Sequence, residues 1–154
     1  MRWECQRFCA LSGAALYELL SLRAEVFVVE QRCIYQDLDG LDPDLWHLRG
    51  LDEASGQLLA YARLLPPGAK GAAQSEPMIG RVLTAPQARG SGQGRALMQQ
   101  ALLHCERLWP GQAVALSAQA HLQDFYASLG FVPCSAVYDE DGIAHIDMRR
   151  ESQV

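Results

Sequence analysis

The residues best suited to chemistry form a glycine-rich stretch, Arg89-Gly90-Ser91-Gly92-Gln93-Gly94-Arg95, between a strand-like and a helix-like segment. Its alternate glycines remove side chains where backbone N–H groups could close on a ligand, at the positive end of a helix. That arrangement suits a phosphate or a pyrophosphate. The stretch is not a Rossmann fingerprint, whose third glycine would fall at Arg95, and it is not a P-loop, because no Gly-Lys-Ser/Thr follows. A merely tight strand-to-helix turn is the plain alternative.

One tyrosine and three histidines could move protons. A tyrosine phenol, which ordinarily titrates near pH 10, can act as a proton donor, and Tyr126 is a candidate for that role. His47, His121 and His145 could each accept a proton, since a histidine ordinarily titrates at about pH 6.5. Each of these side chains has a structural alternative, as a packed helix tyrosine or as a hydrogen-bonded strand histidine.

An acidic block runs from Asp37 to Asp44. It is not an EF-hand loop, because the positions that require glycine and glutamate hold Asp42 and Leu48. It is therefore either a solvated turn or a lip that attracts an ammonium group, with Glu25 and Glu30 before it. Nothing in the chain has the cysteine and histidine spacing of a zinc site, and we expect no metal.

Strand and helix patterns alternate along the chain. Strands are predicted at Trp46–Leu51, Leu58–Leu65, Met78–Ala85, Ala113–Ala118, Phe131–Tyr138 and Ile143–Arg149, with an edge strand around Trp3–Cys9. Helices are predicted from Ser12, over Arg95–Trp109 and over His121–Leu129. No linker divides the chain, so we expect one α/β domain over residues 1–154.

Composition narrows the classes of function. The chain of 154 residues is 49% hydrophobic and 20% charged, as globular proteins are. A net charge of −5 gives no general support for nucleic-acid binding. The most apolar run, residues 58–65, is too short to span a membrane, and no signal peptide is apparent. The five scattered cysteines are typical of reduced cytoplasmic thiols.

Two motifs in the second half resemble those of the GNAT superfamily of N-acetyltransferases. Val82-x-Thr84-x-Pro86 followed by Arg89-x-x-Gly92-x-Gly94 is similar to its acyl-CoA-binding motif. The run Gln119-x-x-Leu122-x-x-Phe125-Tyr126-x-x-x-Gly130-Phe131 is similar to its next motif, with Gln119 and Leu122 in place of the usual Asn and Ala. Segments around residues 22–31, 35–42, 79–82, 118–123 and 138–145 resemble the ElaA-like subgroup.

The resemblance implies both a fold and a reaction. The fold would be the GNAT fold, a mixed, mostly antiparallel central sheet of about seven strands flanked by about four helices. The reaction would move an acetyl group from acetyl-CoA directly to a primary amine of a small molecule or a peptide, in a chain that could form a homodimer. An acyl-CoA-binding sensor without transfer activity, and a different nucleotide-binding module, are the alternatives.

The resemblance also implies site residues. Tyr126 would protonate the departing thiolate, and His145 would act as the base because its hairpin borders the acceptor site in relatives, with His121 in reserve. The residues implied to bind CoA are Val82, Leu83, Thr84, Arg89, Gly90, Ser91, Gly92, Gln93, Gly94, Arg95 and Gln119. The residues implied to attract the amine are Glu25, Glu30, Asp37 and Asp39.

Overall fold

One eight-stranded sheet organises the structure, a computed structural model that describes residues 1–153. Its strands are β1 (Arg2–Arg7), β2 (Trp46–Leu51), β3 (Leu58–Leu65), β4 (Met78–Thr84), β5 (Val114–Gln119), β6 (Val132–Pro133), β7 (Tyr138–Glu140) and β8 (Ile143–Arg150). The spatial order is β1-β2-β3-β4-β5-β8-β6, and β7 pairs with β8. Only the β4–β5 pair is parallel among these strands. The predicted mixed, mostly antiparallel sheet is confirmed.

Three α-helices are present within residues 1–153, one fewer than expected. They are α1 (Gly13–Arg23), α2 (Gln93–Leu108) and α3 (Gln123–Ala127). The Ser12 hydroxyl caps α1 by accepting the Ala15 N–H at 3.1 Å, as the sequence predicts. α1 continues into a π-helical segment, Ala24–Glu30, whose β-branched valines fit a regular α-helix less well.

The segment after α3 differs from its prediction as one long strand over 131–138. It forms two short strands, β6 and β7, on either side of an irregular stretch. Pro133 has no N–H to donate to a ladder, which is one reason that the first strand stops there. The tight turn between β7 and β8 places Asp141 and Gly142 at φ +53° and +81°, the backbone that a two-residue hairpin turn requires.

Each face of the sheet has its own apolar core. The core on the α1 face contains Leu19, Val26, Phe27, Leu51, Leu58, Tyr61 and Leu83. The core on the α2 and α3 face includes Leu48, Ile79, Leu97, Met98, Leu116, Tyr126, Phe131 and Met148. Because β3 is covered on both faces, it is an almost continuous apolar run rather than an alternating one.

The parallel strands β4 and β5 separate soon after they meet. Their Cα register holds the single pair Met78–Ala115 within the described residues. Further along, β4 contains a bulge, where its register with β3 shifts between Tyr61 and Arg63 and where Arg81 has φ +50°. The separation leaves the β5-facing edge of β4 without a partner strand, and it opens a gap in the sheet.

No helix among residues 1–153 is both long enough and apolar enough to cross a membrane.

Candidate active site

A cavity of about 540 Å³ occupies the gap between β4 and β5. The whole of β4 contributes to its wall, together with Leu116, Ser117 and Gln119 of β5. The π-helical segment with the residues that follow it up to Asp39, the turn before α3 together with Tyr126, and the β7–β8 hairpin supply other sides. Residues of β3, Lys70 and Arg89 also contribute. The separation of two parallel strands therefore creates a pocket with a free strand edge along one wall.

Tyr126 of α3 lies in the wall of this cavity. Its side chain is 6% exposed and packs edge-on against Phe125 and Phe131, with ring centroids 5.1 and 6.0 Å away. Its hydroxyl has no hydrogen-bond partner among residues 1–153. Burial raises the pKa of Tyr126 to about 12. The phenol is therefore protonated at neutral pH and can donate a proton into the cavity.

His145 of β8 also lines the cavity, in the β7–β8 hairpin that closes one side. Its Nδ1 lies 2.8 Å from the Ile143 carbonyl oxygen. Because a carbonyl can only accept, Nδ1 carries the hydrogen, and Nε2 of the neutral ring keeps its lone pair. Nε2 lies 3.6 Å from Glu140, and the Tyr138 ring stacks on the imidazole at 6.1 Å. The tautomer thus leaves Nε2 able to accept a proton.

The other two candidate histidines differ in position. His121 lines the cavity. His47 is fully buried in β2, where Nε2 lies 2.9 Å from the Asp42 carbonyl oxygen and Nδ1 lies 2.7 Å from the Tyr61 hydroxyl. Burial lowers the pKa of His47. It is a neutral core histidine that accepts from Tyr61 and donates to Asp42, away from the cavity.

The glycine-rich loop lies at the start of α2 and is open to ligand. Gly90 and Gly92 have φ of +82° and +80°, and a Cβ added at either would meet nothing within 4 Å. No side chain caps the helix at Gly92. By the geometry of a helix end, the first N–H groups of α2 have no intrahelical acceptor and are free for an anion.

The acidic block is held by buried arginines. Arg23, which is 0% exposed, contacts Asp37 (Nε to Oδ2, 3.0 Å) and Asp42 (Nη1 to Oδ1, 2.8 Å). Arg63 contacts Asp39 (Nη2 to Oδ2, 2.5 Å) and the same oxygen of Asp42 at 3.1 Å. Arg81 contacts Asp37 (Nε to Oδ1, 2.7 Å) and Asp39 (Nη2 to Oδ2, 3.5 Å). The three aspartates are matched by three arginines.

The carboxylates and guanidinium groups of this network stabilise one another in their ionised forms. Burial alone would raise the pKa of Asp42, but hydrogen bonding and charge from Arg23, with further charge from Arg63, lower it overall. Burial likewise opposes ionisation of Asp39, whose pKa is nevertheless lowered by its hydrogen bond from Arg63. The block is therefore neither a solvated turn nor a free negative surface, because three of its aspartates are paired with arginines. Part of this paired network, Asp39 with Arg63 and Arg81, lies in the cavity wall.

The predicted site residues fall into two groups. The cavity wall brings together Glu30, Asp39, Val82, Leu83, Thr84, Arg89, Gln119, Tyr126 and His145. The residues outside that wall are Glu25, Asp37, Gly90, Ser91, Gly92, Gln93, Gly94 and Arg95. Within the wall, Glu30 pairs with Arg89 at 2.7 Å, and the Gln119 amide donates to Gln31 at 3.2 Å. Arg95 donates to Ser128 and lies over the Phe125 ring instead. Roles in binding and catalysis for both groups stay predictions.

Sequence reasoning did not identify the three arginines. A signal for two of them was present, because Arg23 falls on the apolar stripe of α1 and Arg63 interrupts the apolar run of β3. A charged residue in such a place is almost never buried unless it is paired. No comparable signal marks Arg81, because its pairing depends on the bulge in β4.

Comparison with known proteins agrees with this geometry. The acetyltransferase (GNAT) domain family matches residues 46–152. The chain is 47% identical to Protein ElaA of Escherichia coli, over 98% of this chain and 97% of that protein. The crystal structure of that protein superposes with a TM-score of 0.87, at 46% identity over 97% of this chain and 99% of the other.

Two further relatives cover the chain as fully. The UPF0039 protein sll0451 of Synechocystis sp. is 47% identical, over 96% of this chain and 94% of its own length. The crystal structure of an acyl-CoA N-acyltransferase from Pseudomonas aeruginosa has a TM-score of 0.89, at 50% identity over 97% of this chain and 98% of that chain. The chain therefore belongs to the GNAT family of acyltransferases and, within it, to the ElaA-like subgroup.

Proposed function

We propose that the chain is an acetyl-CoA-dependent N-acetyltransferase that moves the acetyl group directly to a primary amine of a small molecule or a peptide. One observation carries the proposal: the separation of β4 from β5 forms a cavity whose wall holds Tyr126, a buried side chain whose hydroxyl has no hydrogen-bond partner within residues 1–153. A protonated phenol in such a place is suited to receive a departing thiolate.

The donor is proposed to lie along the free edge of β4. The pantetheine arm would follow Val82, Leu83 and Thr84, whose edge faces no partner strand, and would extend the sheet as an added strand does. A backbone N–H there can polarise the thioester carbonyl and stabilise the oxyanion. Gln119 faces the same cavity from β5.

The pyrophosphate is proposed to bind at the glycine-rich loop. Arg89 and the backbone of residues 90–95 would hold it at the free N–H groups of α2. Residues 90–95 lie outside the cavity wall, and Arg89 lies in it, so the loop borders the mouth of the proposed donor pocket.

The chemistry needs one proton acceptor and one proton donor. The ammonium of the acceptor would give a proton to His145 Nε2, directly or through a water, and the free amine would attack the thioester carbon. As the C–N bond forms, the C–S bond breaks, and Tyr126 protonates the sulfur. The nitrogen loses two protons in all: the first leaves the ammonium by way of His145, and the second, lost as the amide forms, replaces the one that Tyr126 supplies. No metal is needed for this step.

Only two of the four predicted acidic residues are proposed to contact the acceptor amine. Glu30 and Asp39 lie in the cavity wall, where they can orient an ammonium group although each is already paired with an arginine. Glu25 and Asp37 lie outside the wall, and the proposal gives them no direct contact with the acceptor. All five cysteines are free, which supports a reducing, cytoplasmic place of action.

The test is transfer from acetyl-CoA to a diverse panel of amines, measured as release of CoA thiol. Thiol release that depends on a panel amine, with an acetylated product in the mass spectrum, supports the proposal. Tight binding of acetyl-CoA without transfer to any amine would favour an acyl-CoA sensor instead. Propionyl- and succinyl-CoA, used as alternative donors, test the preference for acetyl.

A further inference from the structure

The chain contains a single lysine, and that lysine lies at the cavity. Lys70 belongs to the connection between β3 and β4, and its exposed side chain forms part of the same wall as Tyr126 and His145. The proposed function gives it no role. It is the one side-chain amine of the chain, in the wall of the cavity where the proposed function places the transfer.

The backbone at Lys70 is held in place. Its N–H donates to the Gln74 side-chain oxygen at 2.8 Å, and Gln74 Nε2 donates to the carbonyl oxygens of Pro66 and Glu76 at 2.9 and 2.7 Å. Gly68 and Gly71, on either side, have φ of +83° and +114°, which turns the chain sharply around Lys70. The loop therefore fixes the base of the side chain while its end is exposed.

Lys70 differs from the other cations of the cavity wall. Arg63, Arg81 and Arg89 each form an ion pair with a carboxylate. Lys70 has no side-chain hydrogen bond or ion pair within residues 1–153. An amine can also lose a proton and attack a carbonyl, which a guanidinium does not do at accessible pH. The flexible four-carbon stem lets the nitrogen move through the cavity.

A second primary amine is the N-terminal amine of Met1. It lies 3.7 Å from Glu53, in the turn between β2 and β3, and Met1 is not part of the cavity wall. The chain thus offers a comparison within one molecule: one amine at the proposed site of transfer and one away from it.

We propose that Lys70 is itself an acyl acceptor, so that the enzyme acylates its own cavity. This inference rests on the proposed function. Lys70 Nζ, after giving a proton to His145 or to water, attacks the thioester carbon of acetyl-CoA. A C–N bond forms, the C–S bond breaks with its electron pair on sulfur, and Tyr126 protonates the thiolate. The products are an acetyl-lysine amide, CoA thiol and one proton released to solvent. The nitrogen loses a second proton as the amide forms, and this proton restores Tyr126.

Acylation changes the charge of the cavity. It removes the positive charge of Lys70, the one lysine or arginine of the wall that has no carboxylate partner among the described residues. It also adds an acyl group to space that an external acceptor would use. Because the added acyl group occupies that space, self-acylated enzyme should have a higher KM for external amines than unmodified enzyme.

The experiment incubates the full chain with acetyl-CoA and no added amine, and follows the intact mass and the peptide map. Wild-type protein should gain one acetyl group on Lys70, at a rate per molecule that does not depend on protein concentration. Tyr126→Phe should slow this by about 10²–10⁴-fold, and Lys70→Arg should gain no acetyl group at residue 70. Acetylation of the N-terminal amine in the same sample measures the uncatalysed reaction with acetyl-CoA.

Three results would each overturn the inference: no acetyl group on Lys70, an equal rate in Tyr126→Phe, or a rate that rises with protein concentration. A parallel incubation with the amine panel separates its failure from that of the proposed function. If an external amine is acetylated while Lys70 stays unmodified, only the self-acylation is wrong. If acetyl-CoA neither binds nor reacts with any amine, both proposals are wrong.

Discussion

The guanidinium of Arg81 lies 2.7 Å from the carboxylate of Asp37, and this contact joins the bulge of β4 to the segment between the π-helical segment and β2. Arg81 also lies over the Tyr35 ring, 5.4 Å from its centroid. Its φ of +50° is rare for a residue with a side chain and aims the guanidinium toward that segment. The proposed donor edge is thereby tied to the acidic block by the ion pairs of Arg81 with Asp37 and Asp39.

We expect Asp37→Asn to destabilise the protein by up to about 3–5 kcal/mol, because it removes one of the two carboxylates that pair with Arg23 and one of the two that pair with Arg81, and Arg23 is completely buried. Urea unfolding followed by circular dichroism measures the change. Glu76→Gln is the control, since it breaks an equally short ion pair with Arg149 that is only partly buried, and it should have far less effect. Equal losses in the two variants would show that burial of the network is not what matters.

We expect Gly92→Asn to raise the Kd for CoA by about tenfold or more, because a side chain would stand over the N–H groups that receive the pyrophosphate. Asparagine tolerates positive φ better than other side chains, so the fold should survive. Gly111→Asn is the matched control, because Gly111 has φ +75° and lies beyond the other end of α2. Calorimetric titration with CoA measures both variants, and unchanged affinity in folded Gly92→Asn contradicts the loop assignment.

We expect Tyr126→Phe to lower kcat by about 10²–10⁴-fold while the Kd for acetyl-CoA barely changes, since the ring packing is kept and only the proton donor is lost. Because burial raises the pKa of Tyr126 to about 12, the wild-type rate should show no alkaline loss from this phenol below about pH 11. Steady-state kinetics across pH, under conditions where chemistry limits the rate, measure both effects. An unchanged kcat would leave Tyr126 with a packing role alone.

We expect His145→Ala to lower kcat/KM and to remove the acidic limb of its pH profile, because Nε2 is the nitrogen left free to take the proton. His121→Ala serves as the comparison, since His121 lines the same cavity on another element. If His145→Ala keeps the rate and the limb, and His121→Ala loses them, the base is the histidine that precedes α3.

We expect stability to fall on acidification in two stages. Burial lowers the pKa of His47, so below about pH 6.5 the unfolded chain binds a proton that the folded chain resists, and the free energy of unfolding decreases. The lowered pKa values of Asp39 and Asp42 protect their ion pairs until more acidic pH, where protonation of these carboxylates removes them.

The variant His47→Gln tests the first stage. Glutamine can still donate to the Asp42 carbonyl and accept from Tyr61, but it does not titrate. The slope of unfolding free energy against pH, measured with urea between about pH 7 and 5, should become flatter by at most about 1.4 kcal/mol per pH unit. An unchanged slope would mean that another group causes the acid sensitivity.

Local patterns in the sequence were enough to predict most of the elements. The apolar run of β3, the stripe along α2 and the serine cap of α1 each depend on neighbours in the chain, and the structure confirms them. The predicted strand over 131–138 was wrong, because pairing along β8 rather than local preference decides where β6 and β7 form. The two motifs around Gly92 and Tyr126 were sufficient to indicate the family.

What the sequence could not determine is which charges meet. In the sequence, Asp37 and Asp39 cannot be distinguished from aspartates of a solvated turn. Only the folded chain brings arginines to them from three separate elements, namely Arg23, Arg63 and Arg81. The position of Lys70 at the cavity has the same origin, since it depends on how the β3–β4 connection turns. Secondary structure follows from short-range preference, but ion pairing and cavities depend on residues 14 to 44 positions apart, which only tertiary packing brings into contact.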